Sequence, residues 1–108
     1  MSFMNLSDIE ENEIVPGFVA KFIHSEKMTF AFWTIEEGKS LPEHSHPHEQ
    51  VACVLEGKFE LCIDGEKKVL QNGDVAVIAS NSPHSGRSLT SCRILDVFCP
   101  VREDYRKR

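Results

Sequence analysis

Long apolar runs are missing from this sequence of 108 residues, because no segment approaches the roughly 20 residues that a membrane-spanning helix needs. An excess of basic residues is also missing, since 12 lysine and arginine residues face 17 acidic ones, giving a formal net charge of −5. We therefore expect neither a membrane nor a nucleic acid as partner, since nucleic acid requires a basic face. Residues 1–12 lack a secretory pattern, which predicts a cytoplasmic protein.

Paired cysteines and long helical patterns are absent as well. The four cysteines form no Cys-x-x-Cys motif, and three of them lie in apolar runs, where a free buried thiol is usual. No window has a sustained helical period, and the chain has no fixed-period repeat, low-complexity stretch or linker. These absences argue against a helical, a repetitive or a multidomain protein.

Short apolar and β-branched segments, separated by turn residues, make up most of the chain. Asp64-Gly65 is the strongest hairpin signal, and residues 80–88 are predicted to form a polar loop. This spacing predicts one all-β domain over residues 13–108, preceded by a loose arm over residues 1–12. The predicted strands cover residues 18–23, 28–35, 51–55, 58–63, 66–70, 75–78 and 89–98.

Three of the five histidines lie close together, at His44, His46 and His48. Pro47 argues against a helix here, and residues two apart share one face of an extended segment. Histidine is both a common metal ligand and a group that titrates near neutral pH. The residues alone leave two interpretations open, a metal or catalytic site and an exposed histidine-rich turn.

A fourth histidine, His84, lies far along the chain in the predicted loop. A barrel would bring this loop back to His44 and His46. Two ligands close in sequence and one distant ligand are a usual arrangement of a metal site, and binding then depends on the fold.

Asp96 interrupts the apolar run of the last predicted strand and shares a face with Ile94 and Phe98. A carboxylate among apolar neighbours is costly unless it is paired or functional. Asp96 is therefore a candidate general acid or base with a raised pKa. The alternatives are an exposed strand position and an ion pair with Arg93 or Arg102.

The stretch from Gly38 to Gly57 resembles the first motif of the cupin family, Gly-x5-His-x-His-x3/4-Glu-x6-Gly, with Gln50 in place of the glutamate. Gly73 and His84 fit the spacing of the second motif, although its proline, second glycine and asparagine are replaced. The resemblance implies a jelly-roll barrel (a double-stranded β-helix). It also implies one divalent transition metal, which the sequence leaves open among Ni, Zn, Mn, Fe and Co, on the ligands His44, His46, Gln50 and His84.

Glu49 is the alternative to Gln50 as a ligand. We favour Gln50 because it keeps the motif's spacing to Gly57 and shares strand parity with Val54, whereas Glu49 would point to the opposite face. An amide ligand leaves the charge of a divalent ion uncompensated, which suits an anionic substrate.

The tail around Asp96, together with the histidine stretch, resembles the small cupins of pectin and alginate breakdown that linearise 4,5-unsaturated uronates. The resemblance implies an enzyme for a small anionic sugar, in which Asp96 transfers a proton and Arg102 binds the carboxylate. Phe98 would pack against the sugar, and His48 would either face it or be exposed. The resemblance also implies a homodimer formed through sheet edges, with the first thirty residues as candidates.

Two other functions remain open at this stage. One is a metal-dependent cupin dioxygenase, which requires a redox metal and open coordination positions. The other is a non-catalytic cupin that binds a sugar or metabolite, in which replacement of Asp96 would have little effect.

Overall fold

The structure, a computed structural model, describes residues 2–107. Ten strands form the domain, with a single 3-10 turn at Leu6–Asp8 before them and a short helix, α1 (Glu103–Arg106), after them. The strands are β1 (Glu11–Val15), β2 (Phe18–His24), β3 (Thr29–Ile35), β4 (Ser40–His44), β5 (Glu49–Glu56), β6 (Phe59–Ile63), β7 (Glu66–Leu70), β8 (Val75–Ile78), β9 (His84–Ser88) and β10 (Cys92–Cys99).

The strands form two antiparallel sheets. The six-stranded sheet has the order β1-β2-β3-β10-β5-β8, and the four-stranded sheet has the order β4-β9-β6-β7. The chain crosses between the sheets six times, after β3, β4, β5, β7, β8 and β9. The prediction of an all-β fold of jelly-roll type is confirmed.

The core lies between the two sheets and follows the two-residue period of the strands. Trp33 packs edge-to-face against Phe18 and Phe22, with ring centroids 6.2 and 6.1 Å apart. From the four-stranded sheet, Phe59 and Leu61 meet this cluster. Phe18, Trp33 and Phe59 of this core also line a cavity between the two sheets.

Gly57, the last residue of the first motif, forms the turn between β5 and β6 with φ +92°. A Cβ atom built on it would lie 2.2 Å from the Ser91 carbonyl oxygen, so a side chain would both strain the backbone and collide with it. The turn between β5 and β6 therefore requires glycine at this position of the motif.

Three parts of the chain differ from the sequence-based prediction. His84–Ser88 form β9 instead of a loop, because β9 pairs with both β4 and β6 in spite of its polar composition. β4 was not predicted at all, since it contains Pro42, and it lies at a sheet edge, where proline is tolerated. The predicted arm reaches residue 12, but β1 already begins at Glu11 and pairs with β2.

Within residues 2–107, no helix is long and apolar enough to cross a membrane. The one α-helix of this region, α1, has four residues.

Candidate metal centre

Three histidines meet at the open end of the sandwich. His44 ends β4 and lies directly opposite His84 of β9 in the antiparallel register, while His46 lies in the connection to β5. The ring centroids of His44 and His84 are 4.2 Å apart, and those of His46 and His84 are 5.0 Å apart. One nitrogen of each ring lies within 4.8 Å of the other two, a spacing that can hold a metal ion.

The hydrogen bonds of the three rings fix which nitrogen faces the centre. Each Nδ1 lies 2.8–3.0 Å from a backbone carbonyl oxygen, of Pro42 for His44, of His48 for His46 and of Ser82 for His84. A carbonyl only accepts, so each Nδ1 carries the proton and each Nε2 keeps a lone pair. The Nε2 of His84 is buried and has no hydrogen-bond partner, as expected of an atom whose partner is a metal ion.

Burial lowers the pKa of both His46 and His84. The charges of Arg102 and His84 lower the pKa of His46 further, and those of His44 and Arg102 act in the same way on His84, while hydrogen bonds oppose the shift. Both rings are therefore neutral at pH 7, and a metal ion need not displace a proton from either.

Gln50, in β5, completes the group. Its side chain is buried, and its Oε1 lies 3.1 Å from the Nε2 of His46. Both atoms are acceptors in this tautomer, so a cation between them would relieve their repulsion. Glu49, the alternative ligand, is exposed and does not belong to this group. The donor set of three histidines and one amide fits a divalent transition metal.

A cavity of about 160 Å³ opens beside the histidines. Its inner part is apolar, with Phe18, Phe59 and Leu61 among the lining residues. Its polar groups gather near the histidines, where His44, His84, Gln50, Asp96 and Arg102 line it.

Asp96 is buried on the inner face of β10, between Ala31 and Ala52 of the neighbouring strands. Burial raises the pKa of Asp96 to about 6, although the Gln50 amide, the Trp33 indole and Arg102 all act to lower it. Neither Asp96 Oδ1 nor Trp33 Nε1 has a partner within hydrogen-bond geometry, which limits this compensation. Asp96 is therefore a carboxylic acid that can gain or lose a proton near neutral pH.

Arg102 has a defined orientation beside the cavity. Its Nε and Nη2 donate to the two carboxylate oxygens of Asp104 at 3.0 and 2.7 Å. Its guanidinium lies 4.1 Å from the ring centroid of Tyr105 and 4.8 Å from that of Phe98. The ion pair between Arg102 and Asp96, an alternative left open by the sequence, does not form. Arg102 instead pairs with Asp104 through its Nε and Nη2 atoms.

The structure brings most of the predicted site residues together around one cavity. Two of them do not line it: His46, which lies beside His84 with ring centroids 5.0 Å apart, and His48, whose ring packs against His46 at 5.5 Å between centroids. Sequence reasoning missed Trp33, Asp104 and Tyr105. Strand parity places Trp33 on the inner face with Ala31, whereas no sequence signal marks the two tail residues.

A family model described as a cupin domain matches residues 31–98. The chain belongs to the cupin family. The match spans β3 to β10, and therefore includes the three histidines, Gln50 and Asp96 of this cupin.

Two curated relatives match part of this cupin. It is 41% identical over 64 residues to the pectin degradation protein KdgF of Dickeya dadantii, which covers 57% of the chain and 58% of that protein. It is 45% identical over 53 residues to the quercetin 2,3-dioxygenase of Bacillus subtilis, which covers 47% of the chain and 15% of that enzyme. The cupin thus spans less than two thirds of either relative.

Two solved structures match nearly the whole cupin. The structure of KdgF from Halomonas sp. has a TM-score of 0.91 and 27% identity, over 97% of this chain and 98% of that one. An RmlC-like cupin from Shewanella frigidimarina has a TM-score of 0.92 and 27% identity, over 97% and 96% of the two chains. The similarity to KdgF therefore extends beyond the aligned sequence segment.

Proposed function

We propose that this cupin is a metal-dependent enzyme that converts a 4,5-unsaturated monouronate, derived from pectin or alginate, to the linear 5-keto-4-deoxyuronate. The observation that carries the proposal is the position of Asp96, a buried acid with a pKa of about 6, in the cavity that the histidine cluster and Arg102 also line. The similarity to a protein named for pectin degradation supports the substrate class.

The size and polarity of the cavity suit one sugar ring. A closed apolar cavity of about 150 Å³ accepts benzene, and the cavity here measures about 160 Å³ and is open, so the substituents of a sugar ring can extend out of it. Arg102 is the cation that can recognise a carboxylate in a chain of net charge −5. Its edge toward Asp104 is occupied, and its remaining N–H groups can still bind a second carboxylate.

We propose that His44, His46, His84 and Gln50 hold one divalent transition metal, with Ni, Zn, Mn, Fe and Co as candidates. Such an ion would supply Lewis acidity toward oxygen atoms of the substrate. The carbonyls that accept from the three Nδ1 atoms keep the rings in the tautomer and orientation that this role needs.

Asp96 is the group that moves protons in this proposal. Ring opening removes the proton of the anomeric hydroxyl, breaks the bond between C1 and the ring oxygen, and leaves an aldehyde and an enol. Protonation of C4 and loss of the enol proton then give the 5-keto product, so the reaction is an isomerisation that consumes neither water nor an oxidant. A carboxyl group with a pKa of about 6 can serve as both acceptor and donor.

Phe98 and Arg102 complete the proposed substrate site. Phe98 lies beside His46, with ring centroids 5.6 Å apart, and offers an apolar surface next to the histidine cluster. His48 contributes through its carbonyl, which orients His46, because its ring lies outside the cavity.

An absorbance assay tests the function. Unsaturated galacturonate, mixed with metal-loaded protein, should lose its ultraviolet absorbance faster than the spontaneous background, and Asp96→Asn should lower kcat about 10²–10⁴-fold. Turnover by Asp96→Asn at the wild-type rate would reject the proposed mechanism.

Two other measurements separate the remaining functions. The dioxygenase interpretation, which the similarity to quercetin 2,3-dioxygenase keeps open, predicts oxygen uptake with a phenolic substrate. Binding of a uronate without turnover would instead identify a non-catalytic cupin.

We further propose that the protein acts in the cytoplasm as a homodimer. The four cysteines are all free thiols, as is usual in a reducing compartment.

A further inference from the structure

Two buried polar atoms belong to residues that line the cavity and remain without a hydrogen-bond partner, apart from the His84 nitrogen assigned to the metal. They are Nε1 of Trp33 and Oδ1 of Asp96, and neither has a partner within residues 2–107. The two residues are only 8% and 9% exposed. Burial of a polar atom without a partner is costly, so a ligand that offers a partner to both atoms gains affinity.

The strand register makes these two residues neighbours on the inner face of the six-stranded sheet. Asp96 of β10 lies opposite Ala31 of β3, and Ile94 of β10 lies opposite Trp33 of β3. Trp33 and Asp96 are therefore diagonal neighbours, about 7–8 Å apart along the backbone, which is within reach of an aromatic side chain. The indole acts to lower the pKa of Asp96, which indicates that its N–H faces the carboxyl group.

The surroundings of Asp96 leave room for a ligand beside the carboxyl group. The residues opposite Asp96 on the two adjacent strands are Ala31 and Ala52, whose methyl groups are too small to cover it. Both Asp96 and Trp33 line the cavity of about 160 Å³. A ligand in this cavity can therefore contact both residues at once.

The Trp33 ring is held in one orientation by other aromatic rings. Phe18 and Phe22 pack edge-to-face against it, with centroids 6.2 and 6.1 Å away. Tyr105 packs against it in the same way at 6.3 Å. The indole N–H is therefore a preorganised donor, which loses little conformational freedom when a ligand binds.

We propose that Trp33 is a further substrate-contacting residue, and that its indole N–H and the Asp96 carboxyl group bind one hydroxyl group of the substrate from two sides. A hydroxyl group suits both residues, because its oxygen accepts from the indole N–H while its proton is donated to the carboxylate. An ether or carbonyl oxygen has no proton and would leave the carboxylate without a partner.

The inference rests on the proposed function, which identifies this group as the anomeric hydroxyl. In the ring opening, the anomeric O–H bond breaks, its proton passes to Asp96, and its electron pair forms the C1=O double bond. The bond between C1 and the ring oxygen breaks with its electron pair on that oxygen, which takes the proton from Asp96 and becomes the enol. Trp33 donates to the anomeric oxygen and stabilises the negative charge that develops there as the proton leaves.

Trp33 is the only tryptophan of the chain, so an analogue supplied to a tryptophan auxotroph replaces this residue alone. Benzothienylalanine keeps the shape of tryptophan but has sulfur in place of the N–H. Fluorotryptophan keeps the N–H and is the matched control. With unsaturated galacturonate and zinc-loaded protein, benzothienylalanine should lower kcat/KM about 10–100-fold, whereas fluorotryptophan should leave it unchanged. Trp33→Phe should show the same loss, and melting curves and zinc content check that each protein is intact.

A binding measurement separates failure of this inference from failure of the proposed function. The zinc-loaded wild type gives one indole N–H resonance in nitrogen–proton correlation spectra, because the chain has one tryptophan. Galacturonate, which has the anomeric hydroxyl but no double bond, should shift this resonance downfield. Methyl galacturonoside, whose anomeric oxygen carries no proton, should not.

A shift with galacturonate, in a wild type that does not turn over the unsaturated uronate, would reject the proposed function but support the contact with Trp33. Turnover by the wild type, with an equal kcat/KM for the benzothienylalanine protein, would mean that Trp33 does not contact the reacting group. An indole resonance that galacturonate does not move would also overturn the inference.

Discussion

At the scale of single residues, Asp96 is the group whose charge the protein accommodates least well. Its side chain is surrounded by β3, β5 and β10, and Oδ1 has no hydrogen-bond partner. Burial raises its pKa from 3.8 to about 6. Ionisation of Asp96 in the folded protein therefore lowers the free energy of unfolding.

We predict that Asp96→Asn stabilises the metal-free protein at pH 7.5. A raised pKa contributes stability below pH 3.8, and this contribution is lost as the pH rises through 6. The difference of about two pKa units corresponds to about 3 kcal/mol at pH 7.5. Urea unfolding of both proteins at pH 7.5 and at pH 3.5 measures the effect, which should nearly vanish at the lower pH. Equal stability at pH 7.5 would show that Asp96 is not destabilised by burial.

A second prediction concerns the amide of Gln50, which lies between the histidine cluster and Asp96. Gln50→Glu places a second carboxylate beside Asp96, and two carboxylates that share a site raise one pKa. We expect the acidic limb of the kcat/KM profile to move up by about one pH unit or more, with metal still bound.

Glu49→Gln is the matched control for this substitution, because Glu49 is exposed on the opposite face of β5. It should leave the pH profile and the metal content unchanged. If Glu49→Gln loses the metal while Gln50→Ala keeps the metal content of the wild type, the ligand is Glu49.

At the scale of elements, α1 fixes the orientation of the Arg102 side chain. The helix carries Asp104, which binds the guanidinium through two hydrogen bonds, and Tyr105, which stacks on Phe22 at 4.6 Å between centroids. These contacts hold the flexible Arg102 side chain in one orientation before the substrate binds.

We therefore predict that Asp104→Asn raises KM for the uronate about three- to tenfold and changes kcat less, because a positioning contact acts equally on ground and transition states. Arg102→Ala should raise KM further. Steady-state kinetics of both variants measure the split. A lower KM in Asp104→Asn would show that Asp104 competes with the substrate carboxylate instead of orienting Arg102.

The elements that the sequence predicts well are those whose side chains carry the signal. β2, β3, β5, β6, β8 and β10 are rich in apolar and β-branched residues, β7 follows the Asp64-Gly65 turn, and the structure places all seven within a few residues of the predicted ranges. β4 and β9 carry Pro42 and the polar run at His84–Ser88, and they are strands only because neighbouring strands pair with them. Pairing between distant segments leaves no local trace in the sequence.

For the site, the family motif and strand parity together place His44, Gln50, His84 and Asp96 around one cavity, with His46 beside His84. The contacts of Arg102 with Asp104 and Tyr105 depend on how the chain turns after β10, and no periodicity encodes that turn. His48, for which the sequence left both a substrate-facing and an exposed position open, is not among the residues that line the cavity.

At the scale of the whole molecule, the histidine cluster joins the two sheets. His44 and His84 belong to the four-stranded sheet, Gln50 belongs to the six-stranded sheet, and His46 lies in the connection between them. An ion bound there would stabilise the packing of one sheet on the other, and not only a local loop.

We predict that metal at about 100 times its dissociation constant stabilises the fold by about 2.7 kcal/mol, which raises the Tm by roughly 10 °C or more. Calorimetry of the chelated and the reloaded protein measures the difference. His84→Ala should lose most of the shift, whereas His24→Ala should keep it, because His24 lies outside the cluster and binds Thr29. The same shift in both variants would place the metal elsewhere.

The position of β10 in the middle of the six-stranded sheet has a consequence for mutational tolerance. In a strand with one solvated face, every second residue can vary without harm. From Ile94 to Phe98, the inward residues form the core and the cavity, and the outward residues Leu95 and Val97 are half-buried among apolar side chains of β3 and β5. Five consecutive positions of one strand are thus restricted in sequence. Substitutions that accumulate during evolution should therefore be concentrated on the outer surface of the four-stranded sheet.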